Sequence, residues 1–162
     1  MIIIGIDPGT ASTGWGVIQR VYTKGKKKAF KCLEYGVIKT YPDTKAHDRL
    51  KTINNELNKI IRRHQPELLA IESLYFFKNY KTVIPVSQAS GVILLTAAKN
   101  KLSVYNITPP QVKLAVTGFG RAEKKEVQKK IKSILKLKEI PRPDDAADAL
   151  AVAMAFYIRE KA

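Results

Sequence analysis

Four acidic residues have the types and positions that metal-assisted hydrolysis requires. Asp7 and Glu72 each close a short apolar run, and Asp145 and Asp148 stand at the start of the last, alanine-rich segment. Carboxylate oxygens are hard ligands, which suit Mg²⁺ or Mn²⁺ better than zinc, an ion that prefers nitrogen and sulfur. The four residues are therefore candidate ligands of catalytic divalent ions.

These acids can act together only if the elements that carry them converge. Parallel neighbouring strands end at the same sheet edge, where open α/β sheets place their ligands. If the runs ending at Asp7 and Glu72 are such neighbours, one strand spacing of ~4.8 Å separates the two acids. Asp145 and Asp148 are three residues apart and share one side of a helix. A helix leaning on that edge would complete a pocket of oxygen ligands.

Each acid also has a structural interpretation. Asp7 precedes a Pro-Gly pair and could be a turn residue, whereas a strand-end Glu72 is costly if buried without a partner. Capping and the helix dipole favour acids at 144 and 145. Asp148 lies one turn deeper, among alanines expected to face the core. We assign Asp144 as the helix cap and Asp145 and Asp148 as ligands.

The order of elements predicts an α/β fold with a mixed sheet. Apolar runs predict strands at 2–7, 13–19, 29–40, 67–72 and 103–108, and helical spacing predicts helices over 50–64, 79–100, 123–137 and from 144 onward, with a short helix opening at 109–110. Three strands come first, and strands then alternate with helices. No linker divides the chain, so residues 1–162 are expected to form one domain.

Charge and composition narrow the partner. Lys and Arg total 29 against 14 Asp and Glu, a net charge of +15 with a pI near 9.9. This balance favours an anionic partner, with nucleic acid ahead of a membrane surface. An acidic pocket in such a protein repels phosphate unless divalent cations bridge the two, which is typical of metal-dependent nucleases. No apolar run reaches the ~18 residues needed to span a bilayer. The absence of a basic leader and a single cysteine, Cys32, favour the cytoplasm.

These motifs closely resemble those of the RuvC family of Holliday-junction resolvases, in the same order from residue 2 to about residue 154. GIDPGTASTGWGVI contains Asp7, AIES contains Glu72, and DAADALAVA contains Asp145 and Asp148. The middle of the chain is also similar, in QASGVIL, in PPQVK, which ends in Lys113, and in GFGRAEKKEVQ, which contains Lys124.

The resemblance implies a ribonuclease-H-like fold with about five central strands, a homodimer, and an enzyme of the bacterial cytoplasm. It implies paired, symmetric nicks across a four-way DNA junction, made with two Mg²⁺ ions that Mn²⁺ can replace. The expected products carry 5′-phosphate and 3′-hydroxyl ends, and the RuvA–RuvB branch-migration complex is an implied partner. The four acids become the catalytic metal ligands, and Lys113 and Lys124 become the supporting catalytic cations.

Further residues are expected to contact DNA. The resemblance places Tyr75 in a stacking position at the junction centre, with Phe76 beside it. Phe77 follows, and three consecutive aromatic residues cannot all face a core, so an exposed stacking ring is expected. The basic residues expected to contact DNA are Lys78, Lys81, Arg121, Lys125, Lys129 and Lys132. A solvated face is the usual meaning of such a charge run. Residues 83–98 are apolar enough for burial under the sheet or for a two-fold interface.

Three other interpretations stay open at this point. A nucleotide-binding fold of the actin and sugar-kinase type also carries Asp-x-Gly-Thr, although it needs a second domain to complete its ATP site. A non-catalytic DNA-binding module would use the acids only structurally. A nuclease of the same fold could act on other branched DNA or on RNA.

Overall fold

The computed structural model describes residues 1–22, 28–73 and 80–160. This part of the chain forms five strands and five helices: β1 (Ile2–Asp7), β2 (Ser12–Tyr22), β3 (Lys28–Lys39), α1 (Ala46–His64), β4 (Leu68–Glu72), α2 (Tyr80–Lys99), β5 (Ser103–Ile107), α3 (Pro109–Thr117), α4 (Lys124–Ile134) and α5 (Asp144–Arg159). The lysine-rich segment between β2 and β3 lies largely outside the described residues. None of the described helices has the length and apolar character needed to cross a membrane.

The strands form one mixed sheet in the order β3-β2-β1-β4-β5. β2 pairs antiparallel with both β1 and β3, and β4 is parallel to β1 and to β5. The predicted five-stranded mixed sheet is therefore confirmed. The parallel pairing of β1 and β4 makes their two terminal acids neighbours at one sheet edge.

Side chains of β1 alternate between the two faces of the sheet, as a pleated strand requires. Ile3 joins the core formed with α3, α4 and α5, whereas Ile4 and Ile6 join the core formed with α1 and α2. All three isoleucines are fully buried. The sheet is thus covered on both faces, which explains why β1 and β4 are continuously apolar.

Glycines in β1 and β2 let α5 approach the sheet more closely than any side chain would allow. A Cβ built at Gly5 would lie 2.1 Å from the carbonyl oxygen of Ala149, and one at Gly14 would lie 2.0 Å from that of Asp145. At Gly16 the added atom would meet the Leu150 side chain at 2.6 Å. The alanine-rich face of α5 therefore rests directly on backbone.

Helices α1 and α2 cover the opposite face and are joined by polar side chains. Thr96 donates a hydrogen bond to Asn54 (2.9 Å), and Asn100 donates one to Asn58 (2.8 Å). Because buried polar groups must find partners, these two bonds specify how α2 is placed against α1.

The start of α5 differs from the sequence-based assignment of Asp144 as its cap. The N-cap is Pro143, which makes no side-chain capping bond, and Asp144 is the first helical residue. The side chain of Asp144 instead accepts a hydrogen bond from Gln128 (3.2 Å). The assignment was wrong because the extended Pro143 ends the preceding segment one residue earlier than the acidic pair suggests.

Candidate active site

The carboxyl ends of β1 and β4 bring the first two acids to one edge of the sheet. The parallel register pairs Ile6 with Ile71, so Asp7 and Glu72 follow at neighbouring positions. In the antiparallel ladder with β2, Asp7 pairs with Gly14. Gly14 is also the residue that touches the backbone of Asp145. The first turn of α5 is therefore seated beside Asp7.

Three of the four predicted ligands form a close group. Carboxylate oxygens of Asp7, Asp145 and Asp148 all lie within 4.8 Å of one another, and each residue is partly buried. Among the described residues, Glu72 is not a member of this group. It remains close enough for its charge to act on Asp7 and for the charge of Asp148 to act on it.

Burial and the charges of neighbouring acids make Asp7, Glu72 and Asp148 hard to ionise. Burial, and then the negative charges of Glu72, Asp148 and Asp145, raise the pKa of Asp7 to about 8. Burial and the charge of Asp148 raise the pKa of Glu72 to about 7. Burial, the largest cause, also raises the pKa of Asp148. A divalent cation among these oxygens would remove the repulsion, so the donor set and its electrostatics both fit such an ion.

Lys124 places an ammonium group against this acidic group. Its Nζ lies 2.7 Å from Asp148 Oδ2 and 3.5 Å from Asp144 Oδ2. Burial opposes the charged form, but the hydrogen bond and charge of Asp148 and the charge of Asp144 outweigh it and raise the pKa of Lys124. Glu123 and Glu126 form a capping box that starts α4 at this lysine.

A cleft of about 220 Å³ opens beside the acids. Its polar lining is Glu72, Asp148, Lys113 and Lys124, and its apolar lining is Pro109, Val112, Val127 and Ala151. The positive charge of Lys113 lowers the pKa of Glu72, partly offsetting the effect of burial. Acids, two lysines and an apolar wall thus meet in one cleft, an arrangement suited to hydrolysis of a phosphate ester.

The expected DNA-contacting residues divide into two sets. Tyr75, Phe76 and Lys78 lie outside the described residues, as does the side chain of Lys81. In the second set, Arg121, Lys125 and Lys129 are exposed and Lys132 is half-buried. Arg121 lies in the turn before α4, and the three lysines lie on α4, the helix that begins with Lys124.

Sequence reasoning missed two contributors to the site. The first is Gly14, whose missing side chain lets the backbone of Asp145 pack against β2. The only sequence feature that could have indicated this contact was a pair of glycines at alternate positions of a predicted strand. Asp144 is a partner of Lys124 and of the buried Gln128, and not a cap. Gln128 follows Lys124 by four residues, so helical spacing could have indicated that both face the same element.

Comparison with known proteins identifies relatives across almost the whole chain. The sequence model of the family described as crossover junction endodeoxyribonuclease RuvC matches residues 3–156. The crossover junction endodeoxyribonuclease RuvC of Caldicellulosiruptor saccharolyticus is 50% identical over 158 residues, covering 98% of this chain and 93% of the relative.

Solved structures agree with this assignment. Thermus thermophilus RuvC superposes with a TM-score of 0.91 at 34% identity, covering 99% of this chain and 96% of that one. The same protein in complex with a Holliday junction substrate gives a TM-score of 0.91 at 35% identity, covering 99% and 95% of the two chains. These matches confirm the ribonuclease-H-like fold. With a family match over nearly its full length, the chain belongs to the RuvC family of crossover junction endodeoxyribonucleases.

Proposed function

We propose that this chain is a metal-dependent endonuclease that resolves four-way DNA junctions by paired, symmetric nicks, in homologous recombination and DNA repair. The observation that carries the proposal is the group of Asp7, Asp145 and Asp148 oxygens within 4.8 Å of one another, beside a cleft lined by two lysines. Family membership supports the substrate, since the related Thermus thermophilus protein has been seen with a Holliday junction.

The proposed ions are two Mg²⁺ per active site, with Mn²⁺ as a substitute, held by Asp7, Glu72, Asp145 and Asp148. Such ions supply an activated water and neutralise the leaving 3′ oxygen, which gives 5′-phosphate and 3′-hydroxyl ends. An all-carboxylate donor set and the raised pKa values of Asp7 and Glu72 support this assignment.

Lys113 and Lys124 are proposed to offset the negative charge that develops on the scissile phosphate. Both line the cleft, and Lys124 is oriented by its 2.7 Å contact with Asp148. A cation held in place before the reaction stabilises a transition state without further reorganisation. Asp148 would therefore have a second task, which is to position Lys124.

DNA is proposed to extend from the cleft along α4. Arg121, Lys125 and Lys129 are exposed there, beside the half-buried Lys132, and suit phosphate contacts. Tyr75 and Phe76 are proposed to stack on bases at the junction centre, with Lys78 and Lys81 as further phosphate contacts. The family resemblance and the spacing from Glu72 support this second group.

A homodimer is proposed, with α2 as its interface. Ile84, Gly91 and Leu95 lie on one exposed face of this helix, and Ile84 is 68% and Leu95 54% exposed. A side chain built at Gly91 meets nothing within 4 Å, so another helix could approach there. Two-fold symmetry would supply one active site for each of two opposed junction strands.

Three further assignments are proposed, with family membership as their main support. Residues 1–162 are proposed to act as one domain, supported by the packing of α5, the last element, on β1, the first. The proposed setting is the bacterial cytoplasm, with the RuvA–RuvB branch-migration complex as partner.

Labelled four-way junction, linear duplex and RNA–DNA hybrid, each with Mg²⁺ or with chelator, test the proposal. We expect Mg²⁺-dependent nicks in opposed strands of the junction only. Asp7→Asn should reduce cleavage roughly 100-fold or more and leave junction binding intact, because it removes a metal ligand and no cationic contact. Asp43→Asn, at an exposed turn residue, is the matched control and should cleave normally.

Other outcomes would contradict the proposal in distinct ways. Cleavage that persists in chelator would exclude metal dependence. Junction binding without cleavage under any condition would favour a passive binding module. Preferential cleavage of the hybrid would point to an RNA-directed nuclease of the same fold.

A further inference from the structure

The turn between α3 and α4, residues 118–123, exposes an aromatic ring and leads directly into Lys124, which lines the catalytic cleft. Phe119 is 60% exposed, although burial in a core would stabilise such a side chain. We infer that Phe119 stacks on a nucleobase that is unstacked where a junction strand leaves the duplex near the scissile phosphate. The inference rests on the proposed function and adds a positioning residue to it.

The backbone around Phe119 is held on both sides. The Thr117 hydroxyl donates to the Lys113 carbonyl (2.8 Å) and accepts from the Phe119 N–H (3.1 Å). Gly118 adopts a left-handed conformation (φ 84°), and the Phe119 carbonyl accepts from the N–H of Ala122 (3.1 Å), which is buried. The ring is therefore presented by a fixed turn, so little conformational entropy is lost when it binds.

The same bonds locate this turn relative to the cleft. Thr117 ties it to the helical turn of Lys113, and Lys124 begins the next helix. A Cβ built at Gly120 would lie 3.5 Å from the carbonyl oxygen of Pro110, whose neighbour Pro109 lines the cleft. The turn thus folds back over the start of α3 and joins the two helices whose lysines line the cleft.

The surroundings of the ring indicate what it binds. Arg121 and Lys125 are exposed close by in the chain, and the protein carries a net charge of +15. A polyanion fits this setting better than an apolar protein surface. Stacking of a base on an aromatic ring contributes to binding and tolerates any sequence. Bases inside a duplex have both faces covered, so the ring requires a base freed at the branch point.

Fluorescence of 2-aminopurine tests this directly. Junctions would carry the probe at single positions flanking the cut, bound to Asp7→Asn protein so that no cleavage occurs. We expect a fluorescence change at one or more positions, which is lost in Asp7→Asn/Phe119→Ala and retained in Asp7→Asn/Phe119→Tyr. With Asp7 intact, Phe119→Ala should lower kcat/KM on the junction about tenfold and leave linear-duplex binding unchanged.

Two controls separate stacking from other effects. Phe119→Leu keeps an apolar side chain without a ring and should behave like Phe119→Ala. Tyr22→Ala removes an equally exposed aromatic (63%) at the other end of the sheet and should behave like wild type.

The inference is overturned if Asp7→Asn/Phe119→Ala gives the same probe signal as Asp7→Asn and Phe119→Ala keeps the kcat/KM of wild type. It is also overturned if Phe119→Leu retains full activity, or if Tyr22→Ala lowers kcat/KM as much as Phe119→Ala does. These results would leave the proposed nuclease activity intact. Failure of wild-type protein to cleave junctions would instead count against the proposed function.

Discussion

At the scale of single residues, the site is built from groups that destabilise one another. Asp7 is the most deeply affected, since burial and three neighbouring acids raise its pKa to about 8. Lys124 supplies one compensating charge at 2.7 Å from Asp148, but Asp7 and Glu72 keep raised pKa values despite it. Such uncompensated acids are typical of sites that hold a cation for function.

A pH-dependent stability follows from these values. In unfolded chain Asp and Glu release their protons near pH 4, whereas in the folded protein Asp7 and Glu72 retain theirs to about pH 8 and about pH 7. From about pH 4 to about pH 8, the folded state therefore binds more protons than the unfolded chain. The free energy of unfolding without metal falls as the pH rises through this range. We expect the melting temperature in chelator to drop by at least about 5 °C from pH 5 to pH 8.

Mg²⁺ should reverse this loss, because metal ligands must be deprotonated to bind. The rise in melting temperature on adding Mg²⁺ should therefore be larger at pH 8 than at pH 5, as measured by circular dichroism. Asp7→Asn should flatten the pH dependence in chelator and reduce the response to Mg²⁺. An equal Mg²⁺ response at both pH values would contradict the assignment of Asp7 as a ligand.

At the scale of elements, the site depends on how closely α5 lies on the sheet. Gly14 pairs with Asp7 in the β1–β2 ladder and also packs against the backbone of Asp145. This one residue therefore determines how far apart the two acids lie. An atom added at Gly16 would first meet the side chain of Leu150, at 2.6 Å, which can change rotamer, and would meet backbone only at 3.1 Å. An atom added at Gly14 would instead meet the backbone carbonyl group of Asp145, which cannot move aside by a rotamer change.

Gly14→Ala is therefore expected to displace Asp145 and to reduce junction cleavage roughly 100-fold, since small misplacements of reacting groups carry costs of that size. Overpacking should also lower the free energy of unfolding by about 1–3 kcal/mol. Gly16→Ala is the matched control, with a similar loss of stability and a much smaller loss of activity. Cleavage rates and urea denaturation would measure both, and equal activity losses would contradict the role of Gly14.

Most of the fold could be predicted from sequence because the strands are apolar and the helices are periodic. The strand of Asp7 was placed at its observed bounds, and that of Glu72 within one residue. The role of Asp144 could not be predicted, because a local capping preference competes with a contact from Gln128, which belongs to another element. The distance of Glu72 from the group of three acids likewise depends on how sheet and helix pack, which spacing along the chain does not encode.

At the scale of the whole molecule, the proposed dimer depends on the apolar surface of α2. The buried face of this helix, with Ala89, Ile93 and Ala97, packs in the core it shares with α1. Its opposite face carries Ile84 and Leu95 in solvent, more apolar surface than a helix packed on one side requires. A second copy of the chain would cover that face.

Leu95→Glu should make the protein monomeric, because it buries a charge at the proposed interface. Folding should be unchanged, since Leu95 is 54% exposed in the single chain. Leu114→Glu, at a residue 51% exposed on α3, is the control and should remain dimeric. Light scattering after gel filtration would measure the molecular mass. In the monomer, the two opposed strands of a junction should be nicked independently and no longer as a pair. A dimeric Leu95→Glu protein would exclude this face as the interface.

The position of α5 in the element order has a consequence for protein synthesis. Asp7 and Glu72 are translated long before Asp145 and Asp148, and the groove in which α5 rests is lined by strands made at the outset. A nascent polypeptide on the ribosome therefore lacks half of its proposed acidic ligands until translation has passed residue 148. The proposed active site can therefore assemble only after α5 has been made, so a translation product that stops before α5 would lack it.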